Sequence, residues 1–251
     1  MFKIVANSVL NLLGYQIVNT YNRSLYDLEE EFCEIYSKCN NYTLTSIQRM
    51  YSLYKATEYV ANANIPGDIV ECGVWKGGSS MLTALTLSKM RKTEKRIYLY
   101  DTYEGMSQPT DKDIEAGKNL MAWKTWNQSQ KENFNTWCYS PIEEVKSNLI
   151  STGYPQDKLV FVKGKVEETI PQIMPDKISI LRLDTDWYES TYHEFCHLFP
   201  RLSKFGVIIV DDYGFWKGVR EATDKYFAEN KITMLLNRID EAGRIGVKVD
   251  D

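Results

Sequence analysis

The sequence lacks three things that would each have pointed elsewhere. Cysteine is sparse: Cys33, Cys39, Cys72, Cys138 and Cys196 make an odd set of five with no CxxC pair, so neither a disulfide framework nor a zinc ribbon is indicated, and a reducing cytoplasm is expected. Basic charge is not in surplus, because 30 Lys plus Arg face 34 Asp plus Glu for a formal net charge of −4. That balance argues against nucleic-acid or anionic-membrane partners. Long apolar runs are also missing. The N-terminal MFKIVANSVLNLLGYQIV is interrupted by Asn7, Ser8 and Asn11 and has no small-residue cleavage site, so it reads as neither a signal peptide nor a membrane span. No internal repeat or low-complexity tract is visible.

What is present suggests a single α/β domain over residues 1–251, since 251 residues at 43% hydrophobic content can bury one large core. Residues 1–66 carry apolar and aromatic positions at helical spacing, such as Leu25, Leu28, Phe32 and Ile35, then Tyr51, Tyr54 and Tyr59. They form an expected helical extension, which could pack on the domain or on a second subunit as a homo-oligomer. After Pro66-Gly67, short apolar runs alternate with helix-length segments: strands at 69–74, 96–101, 158–164, 178–184 and 206–212, helices at 79–91, 141–152 and 189–204. This βα repetition implies a parallel sheet. Two further strands at 232–236 and 244–249 are too closely linked to pair otherwise than antiparallel. A mostly parallel seven-stranded sheet closed by an antiparallel hairpin is a methyltransferase arrangement more than a dehydrogenase one. The irregular stretch 102–137 is too long for an ordinary loop and is expected to be a lid.

At the end of the first strand, ECGVWKGGSS resembles two nucleotide loops and completes neither. Ser79 stands where a phosphate loop needs Lys, and Trp75 stands where a dinucleotide fingerprint needs Gly. Glu71, Gly73, Val74, Trp75, Gly77 and Ser79 could instead approach a cofactor with no phosphate to neutralise, and S-adenosylmethionine is such a cofactor. Asp101, ending the second strand before Thr102, could accept its ribose hydroxyls. Gly164, Val166 and Glu167 after the third could cover the adenine. Alternatively the glycines serve only the turn and helix packing.

LRLDTDWYES and IIVDDYGFW end adjacent strands in Asp184, Asp186, Asp211 and Asp212. Strand carboxyl ends in open α/β sheets gather ligands, and converging carboxylates repel unless a hard cation such as Mg²⁺ satisfies them. The expected metal set is Asp184, Asp211 and Asp212, with Asp186 as base; Asp184 and Asp186 could exchange roles. Each aspartate alone could equally cap a helix. A rival signal is His193-Glu194-Phe195-Cys196-His197, a literal HExxH of zinc hydrolases. Pro200 follows it closely, and the candidate third ligands, Glu221 and Glu229, have no supporting motif. A noncatalytic binding module on the same fold would have no need of the carboxylates.

Taken in order, ECGVWKGGSS, YDTYEGM, VKGKVEETIP, LRLDTDWYEST and IIVDDYGFWKGVREATDKYF resemble the macrocin O-methyltransferase family over about residues 66–250. The resemblance implies a Rossmann-like class I fold and a Mg²⁺- and S-adenosylmethionine-dependent O-methyltransferase acting on a small-molecule hydroxyl, such as a sugar of a natural product. It implies metal carboxylates at Asp184, Asp211 and Asp212 and a cofactor loop at Glu71, Gly73 and Gly77. Lid residues Met106, Trp123, Trp126, Trp137 and Tyr139, with Trp187 and Phe215, are expected near the acceptor.

Overall fold

The computed structural model describes residues 27–250, so the start of the expected helical extension, Leu25 included, lies outside the described residues. The chain divides into two units, Met1–Glu30 and Glu31–Asp251, and the sheet and its cavities belong to the second. Among the described residues no helix is long and apolar enough to cross a membrane.

Seven strands form one sheet: β1 (Asp68–Cys72), β2 (Ile97–Asp101), β3 (Leu159–Lys163), β4 (Ile178–Leu183), β5 (Leu202–Val210), β6 (Asn237–Arg238) and β7 (Arg244–Val247). Their order is β3-β2-β1-β4-β5-β7-β6. The first five run parallel and β7 is antiparallel to both β5 and β6. Central positions such as Val70, Ile180, Leu181 and Ile208 have no exposed surface. Burying each stabilises the fold by roughly 1.5–3 kcal/mol, which explains why these strands read as continuous apolar runs. The tail hairpin is shifted from expectation. Ile232–Leu236 is not strand; the short β6 begins at Asn237, and Leu235 is 80% exposed.

Among the described residues the α-helices are α1 (Glu30–Cys39), α2 (Ile47–Asn62), α3 (Gly78–Lys89), α4 (Ala122–Ser129), α5 (Ile142–Ser151), α6 (Val166–Thr169), α7 (Tyr188–Leu198) and α8 (Lys217–Glu229). They pack in two groups, α2 with α3 and α5, and α6 with α7 and α8. The expected helical extension packs on the domain from Glu31 onward. Phe32 of α1 stacks edge-on to Tyr51 of α2 at 5.1 Å, and Met50, Leu53 and Tyr54 are buried. Ser46 starts α2 by accepting from Arg49 N at 3.1 Å, satisfying one of the unpaired amides of a first turn.

Segment 102–137 is fastened rather than loose. Asp113 is fully buried and accepts from Thr110 N at 2.6 Å and Tyr188 N at 2.8 Å. Glu115 bridges Trp216, and Ala116 N donates to Phe215 O at 2.8 Å.

Two glycines are fixed by this packing. At Gly73 φ is +84°, and an added Cβ would fall 2.0 Å from the carbonyl oxygen of Asp184. At Gly77 φ is +88°, and a Cβ would meet Leu149 Cδ2 of α5 at 2.6 Å. Gly73→Ala should therefore destabilise the protein by at least about 2 kcal/mol, through left-handed strain plus displacement of the β4 end. Thermal unfolding checks this, and Gly117→Ala, where a Cβ meets nothing within 4 Å, should leave the midpoint within about 1 °C.

Candidate active site

The carboxyl ends of β1, β2, β4 and β5 open into a cavity of about 460 Å³. A smaller one of about 60 Å³ shares Gly73, Asp101, Gly105, Met106 and Asp184 with it. The expected cofactor residues divide between them. Glu71, Val74, Trp75 and Ser79 line the larger; Thr102, Gly164, Val166 and Glu167 line the smaller. Gly77 lines neither cavity and stands at the start of α3 against Leu149 of α5.

Asp101 organises the loop opposite it. One oxygen accepts from Val74 N at 2.7 Å and Trp75 N at 3.1 Å, the other from Tyr103 N at 2.7 Å. Burial nonetheless raises its pKa. Glu71 is buried beneath the cavity between Arg182, at 2.7 Å, and Ser80.

Of the four aspartates, the structure brings Asp184, Asp186 and Asp212 together, with one oxygen of each within 4.8 Å of the others. Their convergence does not come from strand alternation. β4 ends at Leu183, and Asp186 turns back in a left-handed conformation, φ 68°, which Asp tolerates better than most residues. Trp75 and Cys138, also cavity-lining, have φ of 47° and 51°. Backbone strain of this kind collects where the surroundings over-determine a site.

Burial and mutual repulsion raise the pKa of all three. Asp186 is pushed up to about 7 by burial and by the charges of Asp184 and Asp211, against a lowering hydrogen bond with Asp212. Asp184 and Asp212 also stand well above the ordinary carboxylate range, burial being the main cause in both. Asp211, expected among the metal ligands, is outside this trio because its oxygens are taken: one by Arg182 at 2.7 Å, the other by Arg49. Arg49 also pairs with Asp240 at 3.0 Å and lies 3.9 Å from Asp212. An oxygen set whose pKa values stay raised even with Arg182 2.7 Å from Asp184 suits a hard divalent ion such as Mg²⁺.

Sequence reasoning passed over Arg182, Arg49 and the wall formed by Tyr42, Thr43, Leu44 and Thr45. Arg182 was detectable as the one charge inside the apolar run ISILRL. The wall had no such signal, because only tertiary packing brings the α1–α2 connection to the strand ends. Of the expected lid aromatics, Trp137 lines the cavity beside Met106, Phe215 and Trp216. Trp123 and Trp126 stack on each other at 5.3 Å away from the lining, Tyr139 packs on Phe134 at 4.6 Å, and Trp187 is buried against Trp216 at 5.1 Å. The HExxH reading is corrected. Glu194 is fully buried and held by Thr185 at 2.9 Å, while His193 Nε2 meets Ile170 O at 2.9 Å, so the glutamate cannot activate water between the two imidazoles.

Residues 33–245 match the family Macrocin-O-methyltransferase (TylF). The chain is 31% identical over 202 residues, 80% of this chain and 74% of the relative, to the 8-demethyl-8-(2,3-dimethoxy-alpha-L-rhamnosyl)-tetracenomycin-C 4'-O-methyltransferase of Streptomyces olivaceus. It is 30% identical over 204 residues, 81% and 74% of the two chains, to demethyldecarbamoylnovobiocin O-methyltransferase of Streptomyces niveus. The structure of the O-methyltransferase NovP superposes with a TM-score of 0.72 at 28% identity, covering 83% of each chain. At 14% identity, the S-adenosylhomocysteine-bound methyltransferase PaMTH1 of Podospora anserina shares the fold alone, with a TM-score of 0.54 over 94% of this chain and 100% of that one. By the extent of these matches, the chain belongs to the macrocin O-methyltransferase family and is a class I O-methyltransferase.

Proposed function

We propose that the protein transfers a methyl group from S-adenosylmethionine to a hydroxyl of an uncharged glycoside, with a divalent cation, Mg²⁺, at the acidic trio. The observation that carries this reading is the convergence of Asp184, Asp186 and Asp212 at the floor of a cavity shared with the glycine loop. The S-adenosylhomocysteine-bound relative of the same fold supports the cofactor. The curated relatives, whose names carry a rhamnosyl-tetracenomycin and a novobiocin derivative, support a sugar-bearing acceptor.

Bound together, the cofactor would supply an electrophilic sulfonium methyl and the cation would acidify a hydroxyl placed on it. Asp184 and Asp212 are the residues that would hold the cation; Asp211 could join only by leaving Arg49 or Arg182. Asp186, whose pKa of about 7 suits proton exchange near neutrality, accepts the hydroxyl proton at its carboxylate. Gly73, Val74 and Asp101 would fix the donor on one side. Trp137 and Phe215 would exclude water and cover a sugar face on the other.

Charge restricts the acceptor. Seven carboxylates line the larger cavity against one cation, Arg49, which is already paired. Even with a divalent cation bound, a diphosphate-linked sugar would enter against the remaining negative field, whereas the exposed Leu44 and Phe215, 67% and 40% accessible, offer an apolar rim.

Calorimetry should detect S-adenosylhomocysteine binding, and Mg²⁺ should restore turnover abolished by EDTA; absence of nucleoside binding would discard the reading. Incubated with acceptor panels, the enzyme should add one methyl by mass spectrometry to neutral deoxysugar glycosides and not to nucleotide sugars. Asp186→Asn should lower kcat by about 10²-fold or more. The wild-type rate should rise with pH as Asp186 loses its proton, along a limb that the bound cation places below 7, since positive charge favours the carboxylate.

A further inference from the structure

Arg182 lies within β4 between Leu181 and Leu183 and is 4% exposed. Taking a guanidinium out of water costs several kcal/mol unless its donors are well paired, and a buried ion pair is often replaceable by apolar residues without loss of stability. The sheet alone therefore gives no reason for an arginine here. Its donors reach the tips of three neighbouring strands. Nη1 donates to Glu71 Oε1 and Asp184 Oδ2, both at 2.7 Å, and Nη2 donates to Asp211 Oδ1 at 2.7 Å. Glu71 stands opposite Arg182 in the β1–β4 register, and Ser80 donates to the second oxygen of Glu71. The guanidinium is thus anchored from behind by a residue that is itself held.

Its remaining contacts go to two cavity-lining aspartates. A planar fork with fixed N–H directions orients a carboxylate in a way that a single ammonium cannot. With Oδ2 held, the carboxylate of Asp184 cannot rotate away from Asp186 and Asp212.

We infer that Arg182 is a positioning residue of the methyl-transfer site: anchored on Glu71, it fixes Asp184 and Asp211 so that Asp184 stands with Asp212 to hold the cation, beside the base Asp186. The inference rests on the proposed cation site. Arg49 provides a second hold on Asp211, from α2.

The test compares wild type, Arg182→Lys and Arg182→Met by Mn²⁺ titration, thermal unfolding and steady-state kinetics. Wild type should bind Mn²⁺ in the acidic site; if it does not, the cation reading fails and this inference falls with it. Given wild-type binding, Arg182→Lys should fold, with its Mn²⁺ affinity about 10-fold weaker, a loss typical of ligand-orienting partners. Its kcat should fall while the acceptor KM changes less than about threefold, and Arg182→Met should lose more. A folded Arg182→Lys with wild-type Mn²⁺ affinity and kcat would overturn the inference. So would failure of both variants to fold, since the arginine would then serve stability.

Discussion

The site depends on one electrostatic arrangement: buried carboxylates at the ends of three adjacent parallel strands, partly neutralised by guanidinium groups from within the fold. Glu71, Asp184 and Asp211 meet at Arg182, and Asp211 meets Arg49 as well. Without those cations the strand ends would carry charge that a low-dielectric interior does not tolerate. With them, Asp211 and Glu71 are satisfied, while Asp184, Asp186 and Asp212 retain their mutual repulsion and raised pKa values. The charge left on this trio is what would make the cavity floor receptive to a cation and, at Asp186, to a proton.

The same arrangement joins distant parts of the chain. Arg49 belongs to α2, Asp240 to the turn between β6 and β7, and Asp211 to the end of β5. The α1–α2 connection lines the cavity beside Asp211 and Asp212, and Thr45 Oγ1 lies 3.3 Å from Asp211. Residues that begin as a helical preface thus form one wall of the candidate acceptor cavity.

Much of the fold was legible because its signals are local. Apolar runs marked β1 to β5 to within a few residues, and the closeness of the last two strands required antiparallel pairing. The tail strand was misplaced because Ile232–Leu236 has strand composition, yet the ladder forms only at Asn237 and Arg238. In the site, paired aspartates at strand ends were visible as motifs, but the division of labour among them was not. Which of Asp184, Asp186, Asp211 and Asp212 faces an arginine is decided by side chains from β4 and α2. Gly77 shows the same limit: glycine spacing did not reveal that a Leu149 methyl of α5 stands where a Cβ would fall. The HExxH pattern has the opposite character, a complete local motif that burial of Glu194 makes inert.

The central claim is that the acidic trio grips a divalent ion next to the methyl donor. Anomalous diffraction from crystals soaked with Mn²⁺ and S-adenosylhomocysteine tests it most directly. A Mn²⁺ peak is expected within about 2.0–2.3 Å of oxygens of Asp184 and Asp212, with the homocysteine sulfur beside it and the Arg182–Glu71 pair intact. An empty trio next to a bound nucleoside, or an ion found elsewhere, would contradict it.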